Sequence, residues 1–313
     1  MDKSGNAAFM NETILEAFLL IIIGMISRLV GFVGDEDSRI FSKLVFNITL
    51  PFLVFLAMFH QHPSIVYFKI TIAVWILLLL FTGVIYYITA RLIKDKKRRA
   101  VFILTSVGGN TAFLGYAVIH SLAGDKGMPV AVVYDQLGSS IFIYTVIVLL
   151  LSHIANRSIS FKGMVKSVLT PPLTALFIGL VFPSSIRLPG FIMDAFNMIA
   201  NITTPLMMLV VGMNLTKPVR LHTLPFLSCA SIIKLAVMPG VMYLLAIIMS
   251  IPNFPMKIMV LQSAMPAMMT SVVFAHVYDL DESLAAQIVF GSTFISFLYI
   301  TFPMPCTCFK ASQ

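Results

Sequence analysis

The sequence predicts an all-α polytopic membrane protein: ten transmembrane helices in two inverted five-helix repeats, with the fourth and ninth helices broken. Three observations predict it. The composition is too apolar for a water-facing surface, basic residues favour alternate loops, and short motifs recur at nearly one offset. Of 313 residues, 59% are hydrophobic and 11% charged, against roughly 25% charged in a typical soluble domain. The mean hydropathy is +0.97. Such a chain is not a soluble enzyme, a disordered protein or a disulfide scaffold. Its apolar stretches are continuous and do not alternate every second residue, which argues against a β-barrel.

A bilayer core needs about 20 apolar residues per helix. Reading between polar breaks places spans near residues 13–33, 40–60, 65–92, 99–122, 128–154, 164–182, 189–215, 223–250, 255–278 and 282–305. The polar stretch Met1 to Asn11 has no basic region leading into a cleavage site, so the first span is expected to be resident rather than a removable signal.

Orientation follows from Lys and Arg alone. One set of loops holds Arg28, Arg39, Lys43, Arg91, Lys94, Lys96, Lys97, Arg98, Arg99, Arg157, Lys162, Lys166, Lys217 and Arg220; the other holds Lys3, Lys69, Lys126, Arg187, Lys257 and Lys310. Fourteen against six on alternating loops predicts a multi-pass protein of the plasma (inner) membrane with both termini outside. The run Lys94 to Arg99 reads as a cytoplasmic loop, and no nucleic-acid partner is expected. Cys229 lies in an apolar run and reads as packed, whereas Cys306 and Cys308 have no nearby partner for a metal site.

The repeat emerges from spacing. Asn47-Ile48-Thr49-Leu50-Pro51 recurs as Asn201-Ile202-Thr203-Thr204-Pro205, Gly138-Ser139-Ser140 as Gly291-Ser292-Thr293, and Asp125 as Asp281, at offsets of 153 to 156. The halves are 1–155 and 156–313. Five spans is an odd number, so the second half enters from the opposite side, as in many secondary transporters.

The fourth span contains Gly108-Gly109-Asn110-Thr111, and the ninth contains Met265-Pro266-Ala267. Adjacent glycines are poor helix formers, and proline removes a backbone donor. Both spans are expected to break near the midplane. The freed backbone groups then have to face protein or a wet cavity, and the half-helix N-termini can receive an anion such as a carboxylate. A packing kink is the competing account of either break alone; two breaks in matching halves favour a binding site.

The residues also carry a family resemblance over nearly the whole chain. Leu50-Pro51-Phe52-Leu53-Val54-Phe55, Gly109-Asn110-Thr111-Ala112-Phe113-Leu114-Gly115, Pro205-Leu206 through Gly212-Met213-Asn214-Leu215, Lys234-Leu235 with Pro239, and Ala264-Met265-Pro266-Ala267 through Ile288-Val289-Phe290-Gly291 resemble a bacterial-type member of the auxin efflux carrier family. The resemblance implies a fold similar to that of bile-acid/sodium symporters, with broken helices 4 and 9 crossing beside the substrate. It implies a scaffold, often dimeric, of about 1–63 plus 160–221, and a moving transport domain of about 64–155 plus 222–313. It implies an organic-acid substrate, auxin in plants and malate, malonate or similar carboxylates in bacteria. The chain departs from the plant pattern in lacking a long central hydrophilic loop and in carrying Ala267 after Pro266.

Polar residues inside spans complete the candidate list. Asp135 and Gln136 lie within span 5, where an ionisable residue is a functional candidate; Asp135 reads equally as a coupling group or as a structural partner of Lys69 or of backbone at the outer interface. Lys234, deep in span 8, reads as a partner of Asp135, a charge compensator for an anion, or a snorkelling side chain. Asn47, Thr49, Asn201 and Thr203 read as satisfying each other or backbone freed by Pro51 and Pro205, and Asn47 or Thr49 also reads as lining the cavity from the scaffold side. Gln287, Ser292 and Thr293 are weaker candidates, His120 and His276 read as interfacial structure, and the 20 Met residues as adaptable packing.

The expected function is elevator-type secondary transport of a small organic anion, a dicarboxylate or auxin-like acid. Its binding residues would be Gly108, Gly109, Asn110, Thr111, Met265, Pro266, Ala267, Asn47 and Thr49, with Asp135, Gln136 and Lys234 for coupling or charge compensation. Coupling to a proton, coupling to sodium and no coupling all stay open. The expected partners are the organic acid, the bilayer and a second copy of the chain. A ligand sensor that carries nothing across and a channel are the rival readings. No enzymatic motif, metal site or resident cofactor is expected.

Overall fold

The computed structural model describes residues 3–301, apart from 60, 156–159, 184–185, 187 and 216–218. Arg157, Arg187, Lys217, Cys306, Cys308 and Lys310 lie outside the described residues, as does the side chain of Lys3.

Among the described residues the protein is all-helical. The helices are α1 (Lys3–Leu29), α2 (Asp35–Leu44), α3 (Leu50–Met58), α4 (Ile65–Leu92), α5 (Lys96–Val107), α6 (Tyr116–Val132), α7 (Val148–Ile154), α8 (Phe161–Val168), α9 (Pro171–Val181), α10 (Gly190–Asn214), α11 (Leu224–Ile232), α12 (Met238–Ile248), α13 (Asn253–Ser263), α14 (Thr270–Val277) and α15 (Glu282–Thr301). Wider π-helical turns join α2 to α3 (Val45–Thr49), open the run into α6 (Thr111–Gly115), lie between α6 and α7 (Val133–Ser140 and Ile143–Ile147) and join α11 to α12 (Ile233–Val237).

Local chemistry sets the ends. Ser64 Oγ accepts from Tyr67 N at 3.4 Å, and Asp95 Oδ1 accepts from Lys97 N at 2.8 Å, each satisfying an orphan donor at a helix start. The α4 bounds coincide with the span read from sequence. Thr170 caps α9, whose first residue is Pro171, the position where a missing N–H costs nothing.

Five of the described helical runs are long and apolar enough to cross a membrane: Asp35–Met58, Ile65–Leu92, Thr111–Ile154, Gly190–Asn214 and Leu221–Ile248. A sixth is added if Lys162–Val168 and Pro171–Val181, bent by 64°, count as one. The run Thr111–Ile154 has 44 residues, which as a straight helix would be about 66 Å long, twice the hydrocarbon thickness. It folds back instead. Gly124 has φ +57° inside it, a conformation that glycine adopts without penalty. Thr111 and Asp135, which a straight helix would hold about 36 Å apart, are hydrogen-bonded to each other. His120 and Asp125 close the turn at 3.3 Å.

The most extensive helix contacts are α1 against α10 and α3 against α9. Both depend on glycine at a close approach. A β-carbon on Gly24 would lie 2.2 Å from the Leu209 carbonyl oxygen, and one on Gly179 would lie 2.8 Å from that of Phe55. α6 packs against this layer and against α13; α12 joins α13 to α4, and α5, α11, α14 and α15 pack on one another beside α4. Cys229, read as packed, is exposed on α11.

Candidate functional site

Both expected interruptions are present. After Val107 the chain leaves the helix for Gly108–Asn110, and after Ser263 it does so for residues 264–269. The two breaks meet as a short antiparallel bridge between Gly109 and Ala267. Asn110 N donates to the Pro266 carbonyl at 2.8 Å, and Met268 N donates to the Gly108 carbonyl at 3.1 Å. Ala267 N donates to Ser292 Oγ on α15 at 3.2 Å. Two broken helices thus satisfy each other's backbone where hydrocarbon cannot.

Four helix ends converge here. α5 and α13 arrive with their C-termini, and the runs starting at Thr111 and Thr270 leave with their N-termini, the ends that carry partial positive charge. A cavity of about 70 Å³ lies against the two N-termini, lined by Gly109 to Phe113 from one break and Met268 to Thr270 from the other, and closed by Asp135, Ser139, Ser140, Ile143, Tyr144 and Phe46. Asn110, 4% exposed, is one of its lining residues, and its Nδ2 is buried without a hydrogen-bond partner in the protein. Ser106 Oγ, Ser271 Oγ, Thr293 Oγ1 and both amide atoms of Gln262 are also buried without a partner. Gln262 lies against Gly115, where a β-carbon would sit 2.2 Å from its Oε1. Buried polar groups are normally paired, and unpaired ones occur beside both breaks as well as elsewhere among the described residues.

The buried charges are held separately. Asp135 accepts from Thr111 Oγ1, from Tyr116 Oη at 2.9 Å and from Gln136 Nε2 at 2.6 Å. Lys234 Nζ lies 3.4 Å from the Val107 carbonyl, at the C-terminal end of α5. It also lies 2.9 Å from where a β-carbon on Gly109 would be. Neither forms an ion pair with the other, and Lys69 donates to the Met249 carbonyl at 2.9 Å instead of to Asp135. Lys234 is 2% exposed, which excludes snorkelling.

Of the residues picked from sequence, the structure brings Gly109, Asn110, Thr111 and Asp135 to the cavity. Gly108, Met265, Pro266 and Ala267 do not line it. Gly108, Pro266 and Ala267 give their backbone groups to the bridge and its anchor, and Met265 is buried in the core. Asn47 is turned away, its Nδ2 bonded to the Lys43 carbonyl at 2.9 Å, and Thr49 is buried without a partner. Phe46 takes the place expected of them. Sequence reading missed Met268, Met269, Thr270, Ser139, Ser140 and Tyr144; the signal for Ser139 and Ser140 was the Gly138-Ser139-Ser140 repeat itself.

A larger cavity of about 560 Å³ lies between α1, α3 and α10 on one side and the turn at 120–129 on the other, with Glu16, Gln61, His120, Asp125, Asn197 and Asn201 on its walls.

Several helical runs of membrane length, with two interrupted helices joined over a small cavity, fit a multi-pass membrane protein of the transporter type. The chain belongs to the membrane transport protein family, the auxin efflux carrier-like group, whose model matches residues 9–304. It is 27% identical over 301 residues to the uncharacterized transporter MJ1031 of Methanocaldococcus jannaschii, covering 92% of this chain and 96% of that one. An uncharacterized transporter of Methanothermobacter thermautotrophicus is 26% identical, covering 91% and 94%. The uncharacterized transporter YfdV of Escherichia coli is 22% identical, covering 85% and 87%.

Proposed function

We propose that the protein is a secondary transporter that carries a small organic anion, held by its carboxylate, through elevator-type alternating access. The observation that carries this is the convergence of two half-helix N-termini, at Thr111 and Thr270, on one cavity with the unpartnered Asn110 Nδ2. Positive helix ends and a free amide donor suit an anion. Lys234, buried beside Gly109 and Thr111, adds a nearby basic group. The cavity is far below the roughly 300–1,000 Å³ of small-molecule sites, so the substrate binds in a state in which the surroundings of the crossing have parted. The larger cavity beside α1, α3 and α10 is the approach.

Inverted five-helix halves, ten spans in all, supply the motion. Contacts recur across the halves at offsets of 154 to 157. Gly24 against Leu209 is matched by Gly179 against Phe55. The pair His120 and Asp125 is matched by His276 and Glu282. Gly124 and Asp279, both with positive φ, are 155 residues apart. These pairings support an in-plane axis relating the halves. In this reading α1, α3, α9 and α10 form the scaffold, paired in a homodimer in the plasma membrane, and the crossing rides in the moving body.

The test is uptake of labelled malonate, malate and indole-3-acetate into proteoliposomes. Saturable exchange of one of them, abolished or strongly reduced by Asn110→Ala, is the expected result. Tight binding without flux would overturn transport in favour of a sensor.

A further inference from the structure

The cavity already holds a carboxylate of the protein's own. Asp135 is 3% exposed and lines the cavity. Thr111, whose hydroxyl it accepts, is the first residue of its half-helix. The carboxylate therefore occupies the positive end of the broken helix, the place assigned above to the substrate. Its donors, Thr111, Tyr116 and Gln136, are all neutral, and among the described residues it is in no ion pair.

The elements packed against residues 133–140 bring no cation to it. α9 has no titratable side chain. α4 brings Tyr67, held by Gln61 at 3.0 Å, and Lys69, held by the Met249 carbonyl, with Tyr86, Tyr87 and Arg91 at its far end. α6 brings Tyr116, with His120, Asp125 and Lys126 at the distant turn. The turn 143–147 brings Tyr144, and Tyr134 is its sequence neighbour. Lys234 Nζ, at the Val107 carbonyl, lies on the same side of Gly109 as the Thr111 side chain but forms no ion pair with Asp135.

We infer that Asp135 is a tethered stand-in for the transported anion, and that the substrate carboxylate enters only together with one proton, which Asp135 takes up. The inference rests on the organic-anion reading. Two carboxylates in one low-dielectric site do not both stay ionised. A proton from the solution on the entry side binds Asp135 as the anion arrives; both leave on the other side, and no covalent bond to the substrate forms or breaks. Transport is then one-to-one proton–anion symport.

The test has two parts. In weakly buffered detergent solution, malonate, malate or indole-3-acetate is added to the purified protein; binding is read by thermal stabilisation and proton uptake by an indicator dye. One proton taken up per anion bound is expected for the wild type, and none for Asp135→Asn. In proteoliposomes with the membrane potential clamped at zero, an outside-acid gradient of one pH unit is expected to drive about tenfold accumulation of malonate or malate above protein-free liposomes, and this accumulation is expected to be lost in Asp135→Asn. Anion binding without proton uptake, accumulation that persists in Asp135→Asn, or dependence on sodium in place of the proton gradient each overturns the inference while leaving the anion reading intact. Failure of all three acids to bind the wild type overturns both. The wild-type proton count decides the matter even where Asp135→Asn does not fold.

Discussion

The layer of α1, α3, α9 and α10 and the crossing of the two broken helices both bring backbones together, in opposite ways. In the layer, glycine removes the side chain and one helix seats against the carbonyls of another while both stay helical. At the crossing, the helices give up their own hydrogen bonds and exchange them, leaving polar side chains around them unpaired. The first arrangement is specified by shape and tolerates no added atom. The second leaves donors and acceptors for something else to satisfy.

That contrast can be broken or sharpened in four ways. The largest effect belongs to the layer. Gly24→Leu places a β-carbon 2.2 Å from the Leu209 carbonyl oxygen, and overpacking of this kind is expected to cost about 3 kcal/mol. Thermal unfolding in detergent measures it, and a wild-type melting curve would refute the packing argument. At the crossing the expected pattern reverses. Asn110→Ala removes a buried amide nitrogen without a protein partner, so stability should fall by no more than about 1 kcal/mol. Organic-acid affinity should fall by about 1.5–3 kcal/mol, the range for a hydrogen bond to a charged group; a large loss of stability with unchanged affinity would assign Asn110 to structure. Next, Ser292→Ala strips the acceptor from Ala267 N, 3.2 Å away, and is expected to destabilise by about 1 kcal/mol; urea titration reads it, and no change would mean that the bridge needs no anchor. The smallest effect is at the surface. Lys97 pairs with Asp279 at 2.7 Å, both well exposed, so Lys97→Gln should cost about 0.5 kcal/mol, and the difference should vanish in about 1 M salt. A salt-insensitive cost would mean that Lys97 holds α5 by more than charge.

Much of the fold is written in residue type. Ile65–Leu92 is bounded by Ser64 and by the basic run after Leu92, and the helix ends where those residues put it. Gly108-Gly109-Asn110 and Pro266 broke their helices because their propensities have no alternative in a dry interior. The lining of the site was less legible. Met268 to Thr270 replace Met265 to Ala267 because the bridge takes up the backbone around Pro266 and turns the following residues to the cavity. Nothing in a linear pattern gives that register. Phe46 and not Asn47 reaches the cavity from within the π-helical turn at 45–49, where Asn47 bonds back to the Lys43 carbonyl.

The bridge between Gly109 and Ala267 has an evolutionary consequence. Its hydrogen bonds are main chain to main chain, and any residue other than proline can donate from positions 110 and 268. The side chains at those positions are thereby released from holding the crossing together. Substitutions there can retune what the cavity accepts while the fold persists, so one scaffold can diverge toward many cargoes by changing a handful of side chains around an unchanged knot of backbone.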